Sequence, residues 1–93
     1  MIEQTLSERG SRYGNAVDNA RVTQSMMDVI LKAPSSGNLT PMHKETLHMI
    51  CHKIARICCG DVWYSDNAHD IAGYAKLLED FQVSVSEQIN ENN

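Results

Sequence analysis

The sequence predicts an all-α protein, a small bundle of three main helices preceded by a short N-terminal helix or turn. Three observations carry that expectation. Apolar residues recur at three- and four-residue steps in three separate stretches, the spacing that lines one face of an amphipathic helix. Proline, glycine and serine punctuate the gaps between those stretches. Almost no stretch alternates apolar and polar residues, as a half-buried strand would.

The N-terminal stretch 5–15 is polar and carries Gly10 and Gly14, which suits a short helical turn followed by a loop. From about Ala16 to Ala33 the residues Val22, Met26, Val29, Ile30 and Ala33 form an amphipathic stripe. Pro34 and the run Ser35-Ser36-Gly37-Asn38 stop that helix. The next begins with Thr40 as N-cap and Pro41 at the first helical position, where a missing N–H costs nothing. Its stripe is Leu47, Ile50, Cys51, Ile54, Ile57 and Cys58, and Gly60 offers a left-handed residue to end it. After Asp61-Val62-Trp63-Tyr64, Ser65 or Asp66 caps a last helix reaching about Phe81, with Ile71, Tyr74, Ala75, Leu78 and Phe81 inward.

Size and composition narrow the class. The 93 residues, 42% of them hydrophobic, fit one globular domain. That domain is expected over 1–83, with 84–93 as a frayed tail that has little to bury. A chain this short builds a small core, so a homo-oligomer is expected. Eight Lys and Arg against twelve Asp and Glu give a net charge of -4, which disfavours general nucleic-acid or anionic-membrane binding. No apolar run reaches the length of a membrane span, and Met1-Ile2-Glu3-Gln4 does not open a signal peptide. The expected compartment is the cytoplasm. The three cysteines, Cys51, Cys58 and Cys59, agree with it. Cys51 and Cys58 share a helix face about 10 Å apart along the axis, too far to bridge, and read as buried thiols acting as small hydrophobes.

A few polar positions could carry chemistry. Asn67 falls inside the apolar arc of the last helix, and Asp70 lies at its edge beside Tyr74. A carboxylate there needs a partner, and Lys53 and Arg56 are the candidates. The result is either a structural Lys–Asp pair fixing helix register or a polar cleft for a phosphate or metal. His43, His48, His52 and His69 invite a metal reading, since Glu45-x-x-His48 and Asp66-x-x-His69 each imitate half of a di-metal bundle site. Too few carboxylates point inward to complete it, and solvated histidines are the expectation. Arg9, Arg12 and Tyr13, in the loop Arg9-Gly10-Ser11-Arg12-Tyr13-Gly14-Asn15 with its two glycines, could hold phosphates and stack a base, or Tyr13 could simply lid the core. Trp63 and Tyr64 either close the end of the core or anchor a partner.

The blocks Glu8-Arg9-Gly10-Ser11-Arg12-Tyr13-Gly14, His52-Lys53-Ile54-Ala55-Arg56-Ile57, Gly60-Asp61 and His69-Asp70-Ile71-Ala72-Gly73-Tyr74-Ala75 occur in that order. Together they resemble a group of small, mostly phage- and prophage-encoded proteins of unassigned function described as MazG-like. The resemblance covers about Thr5 to Gln82. It implies an all-α fold, usually dimeric or tetrameric, related to nucleoside triphosphate pyrophosphohydrolases that hold Mg²⁺ with EExxE on one helix and ExxD on the next. Asp70 matches the final Asp of ExxD, but Asn67 stands in place of its Glu. Met49, Ile50 and Lys53 occupy the stretch where the EExxE carboxylates would lie.

The resemblance and the residues together point to a non-catalytic phage-type accessory protein in a bacterial host's cytoplasm, binding a host protein or a nucleotide without a cofactor. Arg9, Arg12, Tyr13, Lys53, Arg56, Asn67, Asp70 and Tyr74 would line its cleft. The alternative is a divergent Mg²⁺-dependent pyrophosphohydrolase drawing ligands from Asp70, Asp66 and Glu45.

Overall fold

The computed structural model describes residues 2–92. Met1 and Asn93, the outermost residues of the expected domain and of its tail, lie outside the described residues. Four α-helices follow one another: α1 (Ile2–Tyr13), α2 (Ala16–Leu31), α3 (Pro41–Cys59) and α4 (Asp66–Asn92), with a single 3-10 turn at Ser36–Asn38. The chain is all-α as its periodicity requires.

The helix starts follow from local chemistry. The Asn15 side chain accepts from the Asp18 backbone N–H to open α2. Thr40 and His43 open α3 reciprocally. Thr40 Oγ1 accepts from the His43 N–H at 3.3 Å, and His43 Nδ1 accepts from the Thr40 N–H at 3.2 Å. His43 therefore takes the place that Glu or Gln has in the usual capping box. Its ring also meets Phe81 of α4 edge-on, with centroids 6.0 Å apart.

Both ends of the chain are more helical than expected. The segment expected as a turn and loop is a twelve-residue helix, with Glu3 in its first turn and Arg12 in its last complementing the helix dipole. Gly14 ends it at φ 82°, with its N–H on the Gly10 carbonyl at 2.9 Å. At the other end, α4 continues through the expected tail to Asn92. Strong helix formers are scarce there, but no proline or glycine intervenes to stop the helix.

Gly60 corrects a further expectation. It is not left-handed, having φ -118° and ψ -141°. Its glycine is needed for space, because a Cβ there would run into the backbone of Arg12 and Tyr13. A Cβ on Gly14 would meet the Cys59 carbonyl in the same way. The α1–α2 junction thus crosses the end of α3 backbone to backbone, secured by the Asp61 N–H on the Arg12 carbonyl at 3.0 Å.

The packing is more open than a closed bundle. Helix α3 packs against both α2 and α4, and α1 touches its end, while α2 and α4 barely meet. Few apolar side chains are enclosed as a result: Met27, Cys51 and Ala55. On α2 the buried line is Asn19, Thr23 and Met27, four residues apart each time. Val22, Met26 and Ile30 only flank it, and Val29, expected inward, is 73% exposed. On α3 the face at its last turn is left uncovered, so Cys51 is buried and Cys58 is exposed. Burial pushes the Cys51 thiol up, which keeps it protonated and inert.

Candidate functional site

A cleft of about 600 Å³ opens between α1, α2 and α3. From α1 it receives Arg9 and Tyr13, from α2 Asn19, Thr23 and Gln24, and from α3 His48, His52 and Arg56. The spacing explains each contribution. His48, His52 and Arg56 stand four residues apart on one line of α3, as do Asn19 and Thr23 on α2. The Gly14–Gly60 crossing lays the end of α1 beside the last turns of α3 and brings Tyr13 up to Arg56.

Tyr13 is the hub. The Arg56 guanidinium lies 4.3 Å from its ring centroid and that of Arg9 5.6 Å. Tyr64 meets the ring edge-on at 5.7 Å. A cation–π contact of this kind holds a guanidinium over the ring face while leaving its outer N–H groups free to donate. Among the described residues, no carboxylate lines the cleft.

The opposite wall carries unfinished hydrogen bonding. Thr23 is 2% exposed and Asn19 7%, yet Thr23 Oγ1 and Asn19 Oδ1 have no partner among the described residues. The Asn19 amide is otherwise spent on the Tyr13 and Asn15 carbonyls, at 2.7 and 3.0 Å. Orphaned polar atoms in a wall are costly unless something in the cleft satisfies them. On α3, His48 Nε2 lies 3.4 Å from Gln24 Nε2. Partial burial, followed by the charges of Arg56 and Lys53 and the neighbouring His48, pushes the His52 imidazole below its ordinary range. An arriving anion would reverse that pressure.

The eight residues expected in one cleft are dispersed. Arg9, Tyr13 and Arg56 line it. Arg12 turns away and sits over Tyr64, 5.2 Å from the ring centroid. Lys53 Nζ reaches Asp70 Oδ2 at 2.9 Å, joining α3 to α4. The pair is only half withdrawn from water, with side-chain exposures of 12% for Lys53 and 42% for Asp70. The hydrogen bond from Lys53 holds the Asp70 carboxyl below the usual carboxylate range. Asp70 and Tyr74 border a separate shallow groove on α4 with His69, Gly73 and Leu77. Asn67 is 1% exposed and belongs to neither, and both its amide atoms lack partners among the described residues.

The histidines are not simply solvated. His43 caps α3, His48 and His52 border the cleft, and only His69 is exposed. Among the described residues, no three His, Cys, Asp or Glu come together as a metal site would require. Sequence reasoning missed Asn19, Thr23 and Gln24, because the apolar stripe of α2 was drawn through Val22, Met26, Val29, Ile30 and Ala33 alone. The signal available was the i, i+4 spacing of Asn19 and Thr23 with Met27. Trp63 is 89% exposed and closes nothing, whereas Tyr64 packs on Tyr13 and donates its hydroxyl to Asp66 at 2.8 Å.

Among the described residues no helix is long and apolar enough to cross a membrane. No curated protein and no solved structure matches this sequence. One family model, described as a domain of unknown function, matches residues 2–82. That span is most of the chain, and with it the protein belongs to the DUF6378 family.

Proposed function

We propose that this chain is a non-catalytic accessory protein of phage type, acting in the cytoplasm of a bacterial host, which holds a nucleotide in the cleft between α1, α2 and α3. The observation that carries the reading is the pairing of two guanidinium groups over the Tyr13 ring, those of Arg9 and Arg56, with two buried oxygens that have no partner among the described residues, those of Asn19 and Thr23. Guanidinium edges and histidine N–H groups suit phosphate oxygens. Thr23 Oγ1 and Asn19 Oδ1 suit the hydroxyl or amino donors of a ribose or base. A volume of about 600 Å³ is adequate for a mononucleotide. The resemblance to MazG-like phage proteins supports the same ligand class.

The residues present do not fit the Mg²⁺ that the resemblance brings with it. Asn67 is neutral and buried, Asp70 is engaged by Lys53, Asp66 accepts from Tyr64, and Glu45 is exposed on α3. Hydrolysis needs several hard oxygen ligands converging on one ion, so binding without cleavage is the better reading. A host protein as the ligand is favoured by one observation only, the exposure of Val62 and Trp63 at the tip of the α3–α4 loop.

The test is a thermal-shift titration with nucleoside mono-, di- and triphosphates and cyclic nucleotides, each in Mg²⁺ and in EDTA. A saturable rise in melting temperature in EDTA, lost in an Arg9→Ala/Arg56→Ala variant that stays helical, is the expected result. No rise with any nucleotide, or release of pyrophosphate on adding Mg²⁺, would overturn the reading.

A further inference from the structure

The two long walls of the cleft differ in kind. His48, His52 and Arg56 face it from α3 at four-residue steps, about 6 Å apart along the axis, so one small group can touch two of them at once. Asn19, Thr23 and Gln24 face it from α2 and are neutral. One side is therefore basic and the other polar without charge. The basic side ends where Arg56 and Arg9 of α1 share the Tyr13 ring.

His52 stands one turn from that pair, and the charges acting on it are all positive. On its own helix they are Arg56, Lys53 and the titratable His48. From α1 the cleft receives Arg9 and the phenol of Tyr13. From α2 it receives no ionisable side chain among the described residues, and Asp18 and Arg21 of that helix pair with each other at 3.3 Å. On the α4 side the Asp70 carboxylate is held by Lys53 at 2.9 Å. Partial burial and these cations keep the His52 imidazole neutral at pH 7. His48 has a different setting. Its Nε2 lies 3.4 Å from the amide nitrogen of Gln24, a donor that suits an unprotonated ring nitrogen.

A terminal phosphate carries about -1.5 to -2 charges at pH 7, and a cyclic phosphodiester only one. Set between Arg56 and His52, a terminal phosphate supplies the negative charge that the cleft lacks and favours the imidazolium. Phosphate and proton then strengthen each other's binding, because linkage between two ligands is reciprocal.

We infer that Arg9, His52 and Arg56 form a subsite for a terminal phosphate monoester, which enters the cleft together with one proton taken from solvent onto the His52 imidazole. No bond in the ligand breaks. The inference rests on the nucleotide reading above and names the end of the nucleotide that α3 holds, with Asn19 and Thr23 left for the ribose or base.

The experiment is isothermal titration calorimetry of the full chain with the four common nucleoside 5′-monophosphates, their 3′,5′-cyclic forms and inorganic phosphate. Titrations at pH 7.5 in two phosphate-free buffers of different ionisation enthalpy count the protons taken up, and titrations at pH 7 and pH 8 give the pH dependence. A monophosphate that binds with net proton uptake, and about three- to tenfold more tightly at pH 7 than at pH 8, is expected. The His52→Gln variant, shown to be helical by circular dichroism, should bind more weakly at pH 7 and lose both the uptake and the pH dependence. Binding of a monophosphate with no proton uptake and equal affinity at both pH values would overturn the inference and leave the nucleotide reading standing. Uptake that persists in His52→Gln, or cyclic forms that bind as tightly as the monophosphates, would also overturn it. Inorganic phosphate bound with a proton while no nucleotide binds would sustain the subsite and sink the nucleotide reading. Binding of neither would overturn both.

Discussion

The Arg56 guanidinium lies on the ring of Tyr13, 4.3 Å from its centroid, and this contact ties α3 to α1 at the edge of the cleft. Since no residue of α1 is buried, the helix depends on a few such contacts near its C-terminal end. Arg56→Ala is expected to destabilise the protein by about 0.5–2 kcal/mol, the range of a partly desolvated cation–π contact. Arg56→Lys should recover little of it, because an ammonium cannot lie flat on the ring. Urea denaturation measures the cost, and hydrogen exchange should show faster exchange confined to α1. Unchanged protection of α1 in Arg56→Ala would refute the assignment.

Gly14 and Gly60 allow two backbones to cross. Gly14→Ala places a Cβ against the Cys59 carbonyl and demands a left-handed alanine. It should cost at least about 1–3 kcal/mol. Gly10 is the internal control: it sits inside α1 with open space around its Cα, so Gly10→Ala should stabilise by up to about 1 kcal/mol. Opposite shifts in urea midpoint from the two Gly→Ala changes, four residues apart, are expected.

Thr23 carries a hydroxyl that is buried and unpartnered. Thr23→Val keeps the shape and removes the orphaned oxygen, so stability should rise by about 1 kcal/mol. Nucleotide binding should weaken in the same variant if the oxygen serves the ligand. Calorimetric titration alongside a melting curve reads both changes. A variant that is more stable and binds as tightly as wild type would remove Thr23 from the site.

Two groups set the acid side of the stability profile. The folded value of Asp70 is depressed by Lys53, so its contribution is complete above the ordinary carboxylate range and is lost as the pH falls through the folded value. His52 is also depressed, mainly by burial. The unfolded chain therefore takes up that proton first, and stability declines as the pH drops below about 6.5. Melting temperatures from pH 4 to 8 should show a shallow decline near pH 6 that His52→Gln abolishes. Asp70→Asn should lower the melting temperature at neutral pH and leave it near wild type at the acid end. Identical profiles for wild type and both variants would show that neither group is perturbed.

The helices and most of their ends were legible in the sequence because their determinants are local. Thr40 and Pro41 announce α3, and Pro34 with the following serines and glycine closes α2. The three- and four-residue spacing of Ile71, Tyr74 and Leu78 marks the inner face of α4. Even the Lys53–Asp70 bridge was anticipated, because a carboxylate at the edge of an apolar stripe requires a cation on the neighbouring helix. Helix α1 was underestimated, since Gly10 and Gly14 look alike in sequence although only Gly14 breaks the helix.

The sequence by itself determined the all-α class, the order of the helices and the supply of cationic and polar side chains, for those depend on periodicity, capping and side-chain chemistry. Tertiary structure decided which of those residues meet. It separated Arg9, Tyr13 and Arg56 from Asp70 and Tyr74, turned Arg12 onto Tyr64, and set Asn19 and Thr23 into the cleft wall. The physical reason lies in the crossing of Gly14 over Gly60 and the register of α4 on α3. Both are contacts between residues far apart in the chain, and no local pattern encodes the angle at which two helices pass.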